Sequence, residues 1–284
     1  MEQHILTEAK KHFKNPIIDF RLLGGMSNYM YVIKDGDKRY TLRILGEHAE
    51  KFVWRNEEKD MIPIFESLGV TTKTIYFNEE TGVKISAYVD GEILSQINPL
   101  DHLEEVSNIL KTVHESKVLS KHHYNHFERL EKYEIINDEL AKDYYLLKEE
   151  LKELYDKHYK DLPQKLCHGD AQPSNFIISK DRAYLVDFEF SANNDPYYDI
   201  ATFGNMNDEH AFALLDVYLG RKANKEELKR LIFFRMFQCI QWYLVATFKH
   251  KEGMSETLKI PFDKAAFNYI TLARKLKGDY DRLG

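Results

Sequence analysis

Residues 166–204 read LCHGDAQPSNFIISKDRAYLVDFEFSANNDPYYDIATFG, and three polar side chains stand out in this otherwise apolar stretch: Asp170, Asn175 and Asp187. Asp170 and Asn175 lie five positions apart in a loop broken by Pro173, and Asp187 follows twelve residues later, just after the strand-like AYLV. The piece FIISKDRAYLVDF predicts a hairpin turning at Lys180-Asp181. A hairpin brings its two ends together, so Asn175 and Asp187 should be neighbours. An amide oxygen beside a carboxylate suits Mg²⁺, a hard cation that prefers oxygen ligands. Asp170 is an additional carboxylate able to accept a proton from a hydroxyl. Phosphoryl transfer from a nucleotide uses this set: a loop Asp orients the attacking hydroxyl, an Asn and a later Asp hold Mg²⁺, and an upstream cation neutralises the phosphates. The pattern H-G-D-x-x-x-x-N followed by D-F-E carries the reading. The competing one is a set of buried polar residues capping loop backbone.

The elements that must position these residues are legible in outline. Residues 3–14 predict a short helix. Residues 17–45 predict strands, with Tyr29, Tyr31 and Ile33 on one face and a hairpin signal at Asp35-Gly36. Helical periodicity runs from Glu47 to Leu68, and two more strands surround the turn Glu80-Thr81-Gly82. From Pro99 the chain is mostly helical: 100–116, about 137–159, 208–248 and 262–277, with a strand-like interruption at 165–190. The expected lobe boundary falls near Val89–Leu94, giving an N-terminal lobe over 1–90 and a C-terminal lobe over 91–284.

Composition sets the outer limits. The chain has 284 residues, 43% of them apolar, including 18 Tyr and 17 Phe. That is enough to bury a sizeable core and excludes global disorder. Forty basic against 46 acidic residues leave a net charge of -6, without the basic excess of a protein that grips nucleic acid through phosphates. Two cysteines, Cys167 and Cys239, make no disulfide framework and point to a reduced, cytoplasmic setting. The most apolar segment, Leu231–Phe248, is interrupted by Arg235, Gln238 and Gln241. It reads as a buried core helix and not as a membrane span. His122, His123 and His126 have no Cys or acid spaced to complete a tetrahedral metal site, and a solvated loop is expected there. Cys167 reads as a small buried apolar residue and not as a nucleophile.

HGDAQPSN and VDFEFSANNDPYYDIA resemble the choline/ethanolamine kinase family, bacterial choline kinases in particular, within the aminoglycoside phosphotransferase-like and protein-kinase-like superfamily. Protein kinases proper carry Arg where Gly169 stands and end the metal motif in Gly, not Glu189. The resemblance implies an α+β, bilobal protein-kinase-like fold: an antiparallel sheet with one helix in the N-lobe and a mostly helical C-lobe. It implies ATP and Mg²⁺ as cofactors. RLLGGMSNYMYVI resembles the phosphate-covering loop, with Gly24, Gly25, Ser27 and Asn28 near the phosphates. Arg43 stands where most kinases place the phosphate-binding Lys, Glu58 is its expected acidic partner (with Glu57 as competitor), and the backbone from Ala87 to Val89 resembles the adenine-holding hinge. Asp170 becomes the base, and Asn175 and Asp187 the metal ligands. His168 and Asp199 are expected to brace the loop.

Choline carries a quaternary ammonium, which aromatic faces and carboxylates bind. FQCIQWYLVATF resembles the family's Trp-rich helix, with Trp242 on the second Trp and Cys239 on the first. Tyr198, Phe212 and Phe262 are further cage candidates. The family's acidic position falls on Met206, with Asp208 or Glu209 as substitutes. The expected reaction is transfer of the ATP γ-phosphoryl to choline. Ethanolamine or an aminoglycoside is the alternative acceptor, and a catalytically dead nucleotide-binding regulator the remote one. No nucleic-acid partner and no membrane insertion are expected.

Overall fold

The computed structural model describes residues 2–22 and 28–284. Gly24, Gly25 and Ser27 of the expected phosphate-covering loop lie outside the described residues. In chain order the elements are α1 (Glu2–Ala9), β1 (Ile17–Leu22), β2 (Asn28–Asp35), β3 (Lys38–Leu45), α2 (Arg55–Ser67), β4 (Thr74–Phe77), β5 (Lys84–Ala87) and β6 (Gly91–Ile93). Then come α3 (Leu103–His114), α4 (His126–Ile135), α5 (Lys142–His158), β7 (Lys165–Cys167), β8 (Phe176–Ser179), β9 (Ala183–Leu185) and β10 (Ala192–Asn194). The chain ends with α6 (Pro196–Phe203), α7 (Asp208–Leu219), α8 (Lys225–Lys251), α9 (Met254–Leu258) and α10 (Phe262–Arg282).

The chain forms two compact units: Met1–Pro99 with Pro173–Ser191, and Leu100–Gln172 with Ala192–Gly284. The boundary expected near residue 90 therefore lies at Pro99, and the hairpin that carries Asn175 and Asp187 groups with the N-terminal unit. In the first unit an antiparallel sheet has the order β1-β2-β3-β5-β4. Alternation sends Tyr31, Ile33, Leu42 and Ile85 to one face, where they pack with Ile5 and Ala9 of α1. The β2–β3 register pairs Asp35 with Lys38, so Gly36-Asp37 form the turn, one residue later than the sequence signal. Gly36 has φ +62°, the left-handed conformation that such a two-residue turn demands. The helix expected from Glu47 begins only at Arg55. His48 is left-handed and Trp54 extended, so residues 49–51 make only one short 3₁₀ turn before α2 starts. Strand β8 joins β6 on one side and β9 on the other.

In the second unit α8 is the core helix, with nearly its whole length from Leu231 to Lys249 buried. It is long and apolar enough to cross a membrane, but its burial within the unit accounts for that composition. Asn224 opens it with a capping box to Glu227. It packs against α4, α5, α6 and α10. The helices α4 and α6 were not expected from periodicity. α6 is only eight residues long, capped by Asp195 with Pro196 at its first position. His126 corrects the expectation of a solvated histidine loop: His123 is exposed, but His126 is buried at the start of α4.

Candidate active site

The first unit gathers a cluster of six buried or half-buried charges. Arg43 projects from β3, opposite Met30 of β2 and Lys84 of β5. Its Nη1 and Nη2 donate to Glu58 Oε1 and Oε2 at 2.7 and 2.8 Å, a bidentate pair with Arg43 2% and Glu58 0% exposed. Nη1 also donates to Asp187 Oδ1 at 3.1 Å, and the Gly82 carbonyl accepts from Nε and Nη2. Burial by itself would raise the Glu58 carboxyl. Arg43, Lys84 and Arg55 outweigh it and hold that group down to about 2. Burial opposes the Arg43 charge, but Glu58 overrides it and raises the guanidinium above its ordinary value. The choice of Glu58 over Glu57 as partner is therefore what the geometry shows.

Three members of this cluster were not singled out from sequence. Arg55 Nη1 bridges Glu58 Oε2 (2.7 Å) and Glu189 Oε2 (2.8 Å). Lys84 lies 3.5 Å from Glu58 and 4.9 Å over the Phe188 ring, and burial lowers its ammonium despite Glu58. Glu189 takes a further bond from Asn28 Nδ2 at 3.1 Å, and burial, then Asp187, raises its carboxyl. A signal for Lys84 existed: like Arg43 it is a cation with an apolar strand neighbour on each side, Val83 and Ile85. Arg55 and Glu58 are three apart, one helical turn.

The metal-ligand expectation can be tested on the hairpin. β8 and β9 pair Phe176 with Leu185, and the Val186 amide donates to the Asn175 carbonyl at 2.9 Å. Asn175 thus sits one residue across from Asp187, as the hairpin argument requires. Asp187 has φ +71°, a left-handed position that Asp tolerates at a cost of about 1–3 kcal/mol. Its side chain is 30% exposed, so the carboxylate is reachable while one oxygen faces Arg43. An amide oxygen and an accessible carboxylate are a donor set that fits Mg²⁺. At the expected hinge, the Ala87 amide already donates to the Lys73 carbonyl.

In the second unit Asp170 lies on the loop after β7 and is buried. Its amide donates to His168 Nδ1 at 3.2 Å, and its Oδ2 accepts from Gln172 Nε2 at 3.0 Å. The amides of His168 and Gly169 both donate to Asp199, at 2.7 and 2.8 Å. His168 and Asp199 brace the loop, and Gly169, at φ +79°, makes its bend.

The aromatic candidates are dispersed in role. Tyr198 is buried, its hydroxyl 2.6 Å from that of Tyr124 and its ring packed on His126, Phe234 and Phe237; this is a core position. Phe262 is buried with the Lys249 ammonium 5.6 Å over its ring. Trp242 and Phe212 are half-buried. Met206 is exposed, and Asp208, its proposed substitute, is held by Arg235 at 2.7 Å. Glu209 is exposed, its amide capped by Asn207. Burial pushes the Cys239 thiol up to about 11. Tyr269, seven residues after Phe262 on α10, has its phenol raised by burial, with Cys239 and Asp170 acting in the same direction.

Comparison with known proteins gives the family and the fold. The model of the phosphotransferase enzyme family matches residues 20–232. The chain belongs to that family. It is an enzyme that moves a phosphoryl group, and it shares the fold of the nucleotide-dependent kinases. Protein LicA of Haemophilus influenzae is 27% identical over 255 residues, covering 83% of this chain and 75% of LicA. The structure of choline kinase LicA from Streptococcus pneumoniae superposes with a TM-score of 0.81 at 25% identity, covering 98% of this chain and 99% of that one. A structure of LicA in complex with AMP has a TM-score of 0.79 at 24% identity, covering 98% of both chains.

Proposed function

We propose that this phosphotransferase moves the γ-phosphoryl group of ATP to the hydroxyl of a small amino-alcohol, choline first among them. The observation that carries the reading is Arg43: a buried guanidinium held by Glu58 at 2.7 and 2.8 Å, with Asp187 at 3.1 Å. The five N–H of this guanidinium point to Glu58, Asp187 and the Gly82 carbonyl, so what it offers phosphate oxygens is a fixed, permanent positive charge. Arg43 binds the ATP phosphates, Glu58 orients it, and Ala87–Val89 hold the base by backbone groups. Asn28 lies beside the phosphates. Asn175 and Asp187 hold Mg²⁺, which when bound supplies charge neutralisation at the phosphates. Asp170 accepts the proton of the attacking hydroxyl. Choline as acceptor and adenine as base draw support from the S. pneumoniae choline kinase LicA and from the LicA–AMP complex. A cytoplasmic setting fits an ATP consumer with two buried free thiols.

One observation favours ethanolamine as a second reading. Cys239 stands at a cage position that the resemblance gives to Trp, and a smaller aromatic surface binds a primary ammonium with less penalty than a quaternary one. Trp242 remains half-buried and available in either case. ADP release with Mg·ATP against choline, ethanolamine and kanamycin in parallel separates the readings. Choline-stimulated turnover supports the first, turnover with ethanolamine alone supports the second, and release that no alcohol stimulates overturns both.

A further inference from the structure

Three polar side chains interrupt the buried core helix α8 at every third position: Arg235, Gln238 and Gln241. Arg235 is 2% exposed. Its Nε and Nη2 donate to Asp208 Oδ1 at 2.9 and 2.7 Å, and its Nη1 donates to Asn205 Oδ1 at 2.7 Å and to Gln238 Oε1 at 3.1 Å. A buried guanidinium needs such partners, because an unpaired buried charge is strongly unfavourable. The loop between α6 and α7 is built around it. Gly204 closes α6, and a Cβ there would lie 3.3 Å from Arg235 Nε and 2.8 Å from the Ala211 Cβ. Asn207 then caps α7, which puts Asp208 at the first helical position with its carboxylate on Arg235.

The same row of α8 carries acceptor candidates. Cys239 comes four residues and Trp242 seven residues after Arg235, so the three share one helix face. Exposure falls along that row from the half-buried Trp242 to the buried Cys239 and Arg235. Arg235 and Asp208 both act on the Cys239 thiol, and Arg235 and Asp170 both act on the Tyr269 phenol of α10. The guanidinium therefore lies within electrostatic reach of the aromatic residues offered to a cationic acceptor. Unpaired, it would repel that acceptor, and an unpaired Asp208 would draw in additional positive charge. Paired, the two cancel, and Asp170 is then the carboxylate whose charge reaches Tyr269 uncancelled. Glu209, the neighbouring acid, is exposed, where solvent and salt screen its charge.

We propose that Arg235 is a specificity-determining residue for the acceptor: by holding Asp208 and Asn205 it withdraws the acid of this loop from the acceptor end of α8, so that the site takes amino-alcohols of one positive charge in preference to those of two or more. The proposal rests on the reading of this chain as an amino-alcohol kinase and adds a charge rule to it. Aromatic faces bind the single ammonium. A neutral ion pair leaves that binding alone, whereas a carboxylate freed within a few ångströms strengthens the binding of each added positive charge by about tenfold or more.

The test compares two probes on the full chain: choline, and the symmetrical diaminopropanol whose hydroxyl lies between two ammonium groups. ADP release gives kcat/KM for each, and calorimetry gives their binding directly. The wild type should prefer choline. Arg235→Met should raise the ratio of diamine to choline kcat/KM about tenfold, at unchanged KM for ATP. Adding Asp208→Asn to Arg235→Met should return the ratio to the wild-type value, and Arg235→Lys should keep it there. Loss of an arginine that only holds the fold would lower turnover with both probes alike, and the second substitution would not reverse it. If Arg235→Met does not fold, Asp208→Asn alone carries the test: it leaves the guanidinium uncompensated and should weaken binding of the diamine more than that of choline. An unchanged ratio in Arg235→Met, the same shift with and without Asp208→Asn, or equal weakening of both probes in Asp208→Asn alone overturns the inference. A wild type that prefers the diamine overturns it too, while the amino-alcohol kinase reading stands. A wild type that binds neither probe overturns both.

Discussion

Arg43 and Glu58 form a buried bidentate pair at the centre of the first unit's charge cluster, and that geometry makes both fragile. Removing one member of a buried ion pair leaves the other charge uncompensated, at about 3–5 kcal/mol. Glu58→Gln should lower the unfolding free energy by about that much, since Arg43, Arg55 and Lys84 all face it; denaturant titration reads the loss. The folded Glu58 group titrates at about 2, below its ordinary value of 4.5. Its contribution is therefore complete above about pH 4.5 and disappears as pH falls towards 2. His126 acts in a higher window. Burial, with Arg129 nearby, depresses its imidazole from 6.5 to about 3, and Nε2 has no partner among the described residues. The unfolded chain takes up a proton below 6.5 that the folded chain refuses, so stability falls between about pH 6.5 and 3. His126→Phe, which suits the surrounding rings of Tyr124, Tyr198 and Phe237, should flatten that slope in melting temperature against pH. A slope identical to wild type would contradict the assignment. Sequence singled out Asp170, Asn175 and Asp187 from dense motifs, and Arg43 with Glu58 from the resemblance. Arg55, Lys84 and Glu189 escaped because each is an ordinary charged residue until the sheet and α2 bury it, and burial has no local signature in a charged side chain.

Elements set which of these residues meet. The turn after β4 shows how. Gly82 has φ +65°, and a Cβ there would lie 2.6 Å from Leu45 side-chain atoms. Its carbonyl accepts from Arg43. Gly82→Ala combines left-handed strain with a steric clash and should cost more than about 1 kcal/mol. It should also raise KM for ATP, because the strain and the clash with Leu45 displace the carbonyl that anchors Arg43. Equal ATP affinity in the variant would show that the carbonyl contributes no aim. Hairpins and amphipathic helices were visible in the sequence because periods of 2.0 and 3.6 are written in the apolar residues. The start of α2 was misplaced because His48 and Trp54 adopt non-helical backbone in a stretch whose apolar spacing remains helical. α6 was hidden because it is buried on nearly every side, which erases the polar stripe.

At the scale of the whole molecule, each compact unit holds one part of the proposed reaction: the phosphate cation and metal ligands in the first, the base, its brace and the acceptor aromatics in the second. The resemblance read from HGDAQPSN and DFE placed the phosphate cation in the N-terminal lobe and the base, metal ligands and acceptor pocket in the C-terminal one. It did not anticipate that the metal-ligand hairpin groups by contacts with the N-terminal sheet. Tyr198 also turned out to be core, because its position beside Asp199 on a fully buried helix was not apparent from the chain alone. Trp242 and Tyr269 are the aromatic residues whose removal should raise KM for the amino-alcohol about tenfold or more without changing KM for ATP; Tyr198→Phe should change stability in preference to either. The most direct measurement is ³¹P NMR of the products formed from Mg·ATP and the amino-alcohol by the wild-type chain, Asp170→Asn and Asp187→Asn. The account predicts ADP and a new phosphomonoester with the wild type, and neither with the two variants. A phosphomonoester formed undiminished by Asp170→Asn, or ADP and inorganic phosphate alone from the wild type with every amino-alcohol tried, would contradict it.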